Sequence, residues 1–231
     1  MKILGIIPAR GGSKRTPRKN IKMIAGKPLI AHTIEAGLKS KLINRVVVST
    51  EDAEIAQVAM DYGAEVIERP YELAVDTAKT APVMINVLEK LELTGYVPDI
   101  VVILQPTCPT RDEKLIDAAL TQLINSDKDS IFGGSLLRKN MPLWKKGFDG
   151  QNTAIYDYHF RPRTQERHLM EDIYHETGAF YAIRIDALRE TGDFLGENVG
   201  IFEMEASVDI DTPEDFARAE KILLEKQLTA N

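Results

Sequence analysis

The apolar positions of this chain fall into short continuous runs separated by helical patterns, and the switches between the two set out its elements. Ile3, Leu4, Ile6 and Ile7 predict a strand over 2–8 that breaks at Pro8. Pro28 suits the first turn of a helix reaching about Ser40, with Leu29, Ile30, Thr33, Ile34 and Leu38 on one face. Arg45-Val-Val-Val-Ser49 is β-branched throughout, as in a parallel strand covered on both sides. Thr50 can cap a helix that begins near Asp52, turns Ile55, Val58 and Ala59 inward and stops at Gly63. A third strand is expected over 64–67, and a polar, irregular stretch over 69–80 precedes a helix carrying Val83, Val87, Leu88 and Leu91. The run over 99–105 reads as a buried strand, and two prolines in Gln105-Pro-Thr-Cys-Pro-Thr-Arg111 end it. A helix over about 113–125 and a strand over about 130–137 follow. Right-handed β-α-β units of this kind predict an α/β fold with a mostly parallel, doubly wound sheet, as one domain over 1–231.

From Arg138 to Asp172 the periodicity weakens, while aromatics gather from Trp144 through Tyr156, Tyr158 and Phe160 to Tyr181. A segment this long without regular pattern is read as an inserted lobe over 138–172, for dimerisation or as a lid; an extra hairpin on the parent sheet is the alternative. Strands resume at 178–184 and 199–204. Val208-Asp-Ile-Asp211 has strand character, and Thr212, Pro213, Glu214 and Asp215 open a last helix running to about Lys226.

Composition leaves this frame intact: 44% hydrophobic and 28% charged residues describe an ordinary globular protein. No apolar run approaches the ~18 residues that span a membrane, and no secretory signal stands at the start. The single cysteine, Cys108, excludes an internal disulfide framework and fits a reducing cytoplasm. Charge changes the picture more. The net charge of −6 argues against general nucleic-acid binding. Yet residues 1–34 hold eight Lys/Arg and no Asp/Glu, against 21 Lys/Arg and 35 Asp/Glu in the remainder. A cationic patch on an acidic protein focuses its field on a small anion.

That patch is Ile6 to Asn20, where Gly11-Gly12 and Ser13 sit among Arg10, Lys14, Arg15, Arg18 and Lys19, between a strand and a helix. Glycines admit the backbone to an anion, and N–H groups and cations supply charge, so the loop reads as the grip on a nucleoside triphosphate. A solvated basic loop is the plain alternative. Neither the Walker spacing nor the Gly-x-Gly-x-x-Gly dinucleotide pattern is present. Asp209 and Asp211, two apart on an extended segment, point the same way and offer hard oxygens to Mg²⁺, with capping of the helix that follows as the plain alternative for Asp211. The four histidines lack metal-ligand spacing, and Cys108 has no evident catalytic partner.

Ile-Pro-Ala-Arg-Gly-Gly-Ser-Lys-Arg at 7–15, Lys19-Asn20 and Gly26-Lys27-Pro28-Leu29-Ile30 resemble the acylneuraminate cytidylyltransferase (CMP-sialic acid or CMP-nonulosonate synthetase) family. So do Val48-Ser49-Thr50, Arg69-Pro70, Leu104-Gln105-Pro106-Thr107 and Val208-Asp209-Ile210-Asp211, and the likeness covers the chain in order. The resemblance implies a Rossmann-like nucleotidyltransferase fold and a cytoplasmic homodimer. The implied enzyme uses Mg²⁺ to join CTP to a 2-keto-3-deoxy nonulosonic acid, giving the CMP-sugar and pyrophosphate. It further implies that Arg10, Ser13, Lys14 and Lys19 contact the triphosphate, and that Asn20, Arg69 and Thr80 hold the cytidine. Gln105 and Tyr181 would meet the sugar acid, Arg163 would stand near the reacting groups, and Asp209 and Asp211 would hold the metal. Lys19, Arg10 and Arg163 are the implied catalytic set. The chain departs from the family at Tyr174-His-Glu-Thr-Gly178, where many relatives have Asn-Gly, so the sugar is left open among neuraminate, legionaminate, pseudaminate and deaminated acids. A transferase for 3-deoxy-manno-octulosonate or another sugar/nucleotide pair is the near rival. A glycosyltransferase using Asp209-x-Asp211 is the distant one.

Overall fold

The computed structural model describes residues 1–13, 16–137, 143–155, 159, 163, 165–166 and 172–229. The chain opens with β1 (Ile3–Pro8), the short hairpin strands β2 (Met23–Ile24) and β3 (Lys27–Pro28), and α1 (Leu29–Lys39). Then come β4 (Arg45–Thr50), α2 (Ala53–Asp61), β5 (Glu65–Glu68), α3 (Thr80–Glu92), β6 (Ile100–Ile103), α4 (Glu113–Ile124) and β7 (Ser130–Leu136). The second half adds β8 (Trp144–Lys146), β9 (Asn152–Ala154), β10 (Tyr174–Arg184), α5 (Ile185–Thr191), β11 (Val199–Glu203) and α6 (Pro213–Thr229).

Seven of these strands form one sheet in the order β11-β7-β10-β6-β1-β4-β5. Neighbours run parallel except where β10 lies antiparallel between β6 and β7. The pleat explains the unbroken apolar runs. Ile3 and Ile7 of β1, Val46 and Val48 of β4, and Ile100 and Val102 of β6 pack under α1, α2 and α4. Leu4 and Ile6, Val47, and Val101 and Ile103 pack on the other side under α3 and α5. Both faces are covered, so the middle of each of these strands is apolar on both sides. The order reverses at β1, which has β4 on one side and β6 on the other. Ligand crevices of open α/β sheets form at such a point, beyond the strands' carboxyl ends.

A third cluster joins α6 to the hairpin after the basic loop: Phe216, Ala219 and Leu223 bury against Ile24, Leu29, Val208 and Ile210. The hairpin is also held by polar contacts from α6. Ala25 N–H donates to Glu220 Oε1 (3.1 Å), and Gln227 donates to Ala25 O (3.1 Å). Lys22 Nζ lies 4.3 Å from the Phe216 ring centre. Ala25 and Gly26 both take positive φ, 47° and 85°, which the tight turn requires. Nothing lies within 4 Å of a Cβ built on Gly26. Gly26→Ala is therefore expected to cost backbone strain alone, about 1–2 kcal/mol, seen as a lower urea midpoint with unchanged slope.

Several boundaries differ from expectation. Asp52, not Thr50, caps α2, its carboxylate accepting from Glu54 and Ile55 N–H at 3.0 Å each. A carboxylate gains from the helix dipole where a hydroxyl does not, and Thr50 instead accepts from Asp52 N–H at 3.1 Å. The segment 208–211 is not a strand, although burial alternates through it and Ile210 N–H donates to Thr107 O (2.8 Å). Helix α5 is unforeseen: it buries only Ile185 and Leu188, too few positions for a periodic signal, and it ends at Gly192 with φ 65°. In the expected lobe over 138–172 the described residues include the β8–β9 hairpin, a sheet of its own, with Trp144 51% exposed and Phe148 fully so. Tyr156, Tyr158 and Phe160 lie outside the described residues.

Candidate active site

A cleft of about 500 Å³ opens at the switch point, floored by the ends of β1 and β6 and walled by the basic loop, the 69–80 segment and Asp211. Among the residues expected to bind the nucleotide, Arg10, Ser13, Lys19, Asn20, Arg69 and Thr80 all line it. Lys14 lies outside the described residues. Three further polar residues of the lining carry no motif in the sequence: Thr16, Asp76 and Lys79.

The basic loop is held in shape from behind. Gly11 N–H donates to Glu51 Oε1 at 2.7 Å, and a Cβ on Gly11 would stand 2.3 Å from Asp52 Oδ2, so no larger residue fits there. Arg18, at φ 57°, turns away from the cleft to pair with Asp52 and, at 2.5 Å, with Glu54. Its hydrogen bond to Asp52 raises its pKa further, and the same contact keeps Asp52 below the usual carboxylate range. Arg18 thus anchors the loop instead of offering its charge to an anion. Asn20 is buried and donates through Nδ2 to Arg10 O (2.9 Å), closing the loop on itself across ten residues.

This framework leaves Arg10 and Lys19 facing the cleft. Arg10 reaches across the mouth to Asp76 (2.7 Å), joining the loop to the 69–80 segment. Lys19, 12% exposed, donates to Ile210 O (2.5 Å) and lies 3.5 Å from Asp211 Oδ1. It spans the basic and acidic halves of the site, 191 residues from one partner and 192 from the other. Arg69 directly follows β5, and its buried side chain reaches the end of β4, where it donates to Ser49 O (2.7 Å) and Ser49 Oγ (3.2 Å). Burial lowers its pKa to about 10, with Glu51 opposing and Arg10 adding to the shift, so it remains a cation at neutral pH. Thr80 is the first residue of α3, and Lys79 before it supplies no side-chain cap. The helix N-terminus therefore presents its N–H groups and positive dipole end at the cleft wall.

Asp211 lines the cleft, and Asp209 lies close by on the same extended segment. Both are exposed while Val208 and Ile210 between and before them are buried, so the two carboxylates share the solvent side. Neither is needed as a helix cap. Thr212 and Asp215 cap α6 reciprocally, Asp215 N–H donating to Thr212 Oγ1 (3.2 Å) and Thr212 N–H to Asp215 Oδ2 (3.0 Å). Two carboxylates beside a cationic loop, Asp211 already near Lys19, are hard-oxygen donors of the kind that fit Mg²⁺, which takes one or two carboxylates and completes its shell with water and phosphate.

Gln105 lines the cleft just past β6. Its carbonyl accepts from Arg111 (3.4 Å), a fully buried arginine that also bonds Ala179 O and, at 2.9 Å, Thr33 Oγ1. Burial lowers the Arg111 pKa to about 10, so a cation ties together α1, β10 and the Gln105 turn. The sequence offered only its place after two prolines as a sign of this. Tyr181 is buried beside the cleft and does not line it, its hydroxyl donating to Glu176 Oε2 (2.9 Å). Burial first, then the Glu176 carboxylate, push that hydroxyl's pKa up. Arg163 is not brought to the cleft: 80% exposed, it pairs with Glu166 three residues away, at 2.5 Å. Cys108 is buried and its thiol pKa raised by desolvation, in keeping with an inert role. His32 is held at Ile24 O (3.0 Å) and its pKa lowered by burial, a structural neutral imidazole.

An α/β sheet whose cationic loop and acidic pair meet at its switch point defines a nucleotidyltransferase. The chain belongs to the cytidylyltransferase family, whose model matches residues 4–230. It is 36% identical over 228 residues to the CMP-N,N'-diacetyllegionaminic acid synthase of Legionella pneumophila, covering 96% of this chain and 97% of that one. It is 34% identical over 229 residues to the pseudaminic acid cytidylyltransferase of Campylobacter jejuni, covering 96% of each. The fold is also that of a CMP:2-keto-3-deoxy-manno-octonic acid synthetase solved with CTP, at TM-score 0.74 and 20% identity over 98% of this chain and all of that one.

Proposed function

We propose that this enzyme joins CTP to a 2-keto-3-deoxy nonulosonic acid, releasing pyrophosphate, with Mg²⁺ held by Asp209 and Asp211. The observation that carries the reading is Lys19, placed between the cationic loop and Asp211 in a single cleft. The full-length similarity to synthases of CMP-activated nonulosonic acids supports the choice of sugar class. In this reaction the anomeric hydroxyl oxygen bonds to the α-phosphorus, the bond from that phosphorus to the bridging oxygen breaks, and the hydroxyl proton is released. Arg10, Ser13 and the Gly12 N–H bind the β- and γ-phosphates, while Arg69 and Thr80 orient the base. Lys19 meets charge growing on the α-phosphate oxygens, an interaction stronger in the transition state than before it. Asp209 and Asp211 would hold Mg²⁺, which would supply Lewis acidity to the reaction. Gln105 turns its carboxamide to the sugar acid.

Among the described residues no helix is long and apolar enough to cross a membrane. A cytoplasmic homodimer is part of the proposal. The exposed Trp144, Phe148 and Ile155 of the β8–β9 hairpin support an interface there. Pyrophosphate release, measured with each nucleoside triphosphate against several keto-acids, tests the reaction. Turnover with CTP and a nonulosonic acid is expected; preference for GTP or UTP, or for an octulosonate, overturns the assignment. Light scattering at rising concentration tests the dimer, and a monomer throughout overturns it.

A further inference from the structure

Arg10 is held by the segment it faces across the cleft. Its Nη1 donates to Asp76 Oδ1 at 2.7 Å and lies 3.5 Å from Ala74 O, so one nitrogen meets two acceptors of the 69–80 segment. Arg10 and Asp76 both line the cleft, 66 residues apart in the chain. The pair stands in the opening itself, its side chains 33% and 39% exposed.

The segment that carries Asp76 is fixed at its two ends. At one, the Arg69 side chain is bonded to Ser49; at the other, Thr80 begins α3. Between them the backbone bonds are local: Leu73 N–H to Pro70 O, Ala74 N–H to Tyr71 O and Ala78 N–H to Val75 O. Tyr71 and Val75 are exposed, so the middle of the segment has little apolar packing of its own. Arg10 joins it to the basic loop across the opening.

A carboxylate and a phosphate offer a guanidinium the same thing, anionic oxygens to accept its N–H groups. Asp76 therefore occupies on Arg10 the place that the β- and γ-phosphates take in the reading above. Its contact is end-on through one nitrogen and partly solvated, which makes a weak ion pair. A polyphosphate that engages the fork through two nitrogens displaces it. A ligand with no phosphate beyond the α position makes no demand on Arg10 and leaves the pair intact.

We propose that Asp76 is a positioning residue that acts through Arg10. It holds the guanidinium in the cleft mouth while the site is empty, yields it to the polyphosphate chain, and takes it back as pyrophosphate leaves. This rests on the CTP reading above. The consequence is a weaker grip on every ligand that uses Arg10, pyrophosphate included, and so easier product release.

The test is calorimetry with pyrophosphate, CTP and CMP, each with Mg²⁺ at one ionic strength. Asp76→Asn is expected to tighten pyrophosphate and CTP at least twofold, up to the roughly fivefold that a partly exposed ion pair is worth. CMP is expected to gain less than either. Plain removal of a negative charge also favours an anion, so the change is repeated in an Arg10→Ala protein, where a smaller gain is expected. A gain below twofold, an equal gain for CMP, or a gain no smaller without Arg10 overturns the role of Asp76. Asp76→Ala replaces Asp76→Asn should the latter not melt cooperatively. Loss of cooperative melting in both overturns the role too, because a contact surrendered in every turnover cannot be what holds the fold. A wild type that binds CTP no tighter than CMP overturns the triphosphate reading, and Asp76 with it; a wild type that prefers CTP, without the gain, overturns Asp76 alone.

Discussion

Lys19→Ala is expected to lower kcat by roughly 10²–10³-fold, the range seen when one preorganised donor to a transition-state charge is removed. The side chain is 12% exposed, so its charge acts in a screened, poorly hydrated site where it is worth more than in water. Its ground-state anchors are Ile210 O and Asp211, so the ammonium is already positioned before substrate arrives. The KM for CTP should rise far less than kcat falls, because the other contacts proposed for the phosphates, from Arg10, Ser13 and backbone N–H, are kept. Lys19→Arg tests geometry separately from charge: a longer, planar head is expected to recover little. A Lys19→Ala enzyme with unchanged kcat would remove Lys19 from the chemistry.

Asp211→Ala is the second large effect. Losing a carboxylate from the pair proposed to hold Mg²⁺ is expected to cost several kcal/mol of barrier, or roughly 10²–10³-fold in rate. The fold should be untouched. Asp211 is 53% exposed, and the cap of α6 is made by Thr212 and Asp215 without it. Cooperative melting at the wild-type temperature is therefore expected alongside the loss. A readout independent of turnover is Mn²⁺ binding followed by electron paramagnetic resonance. Wild type with bound CTP is expected to immobilise Mn²⁺, and Asp211→Ala to weaken that at least tenfold. Equal binding by both proteins would contradict the metal role, as would loss of the cooperative transition.

The contrast between Arg18 and Lys19 shows how far residue type carries an argument. Both are cations in one loop, adjacent in the chain and alike in composition. Arg18 takes a left-handed backbone and turns to Asp52 and Glu54; Lys19 begins a 3₁₀ turn and faces Asp211. No periodicity in the sequence separates them, because the difference lies in where α2 places its first acidic residues. Arg163 makes the same point in reverse: its local motif matched a catalytic arginine, yet its ion pair is with Glu166 on its own turn. Arg111 carries no periodic or motif signal of burial in the sequence. Only the packing of α1 and β10 around it makes it internal.

The seven-stranded core follows from sequence alone. Runs such as Val46-Val47-Val48 and Ile100-Val101-Val102-Ile103 have no polar face to give water, so they must lie in a sheet covered on both sides. The loop proposed to hold the triphosphate is equally legible as a glycine-rich cationic turn, since glycine and charge in a strand-to-helix turn are local properties. What the chain alone could not decide is which of those charges meet. Lys19 and Asp211 come together because α6 docks its apolar stripe on the β2–β3 hairpin. That is the outcome of packing between segments far apart in sequence. It is a tertiary choice, and it assigns the chemistry.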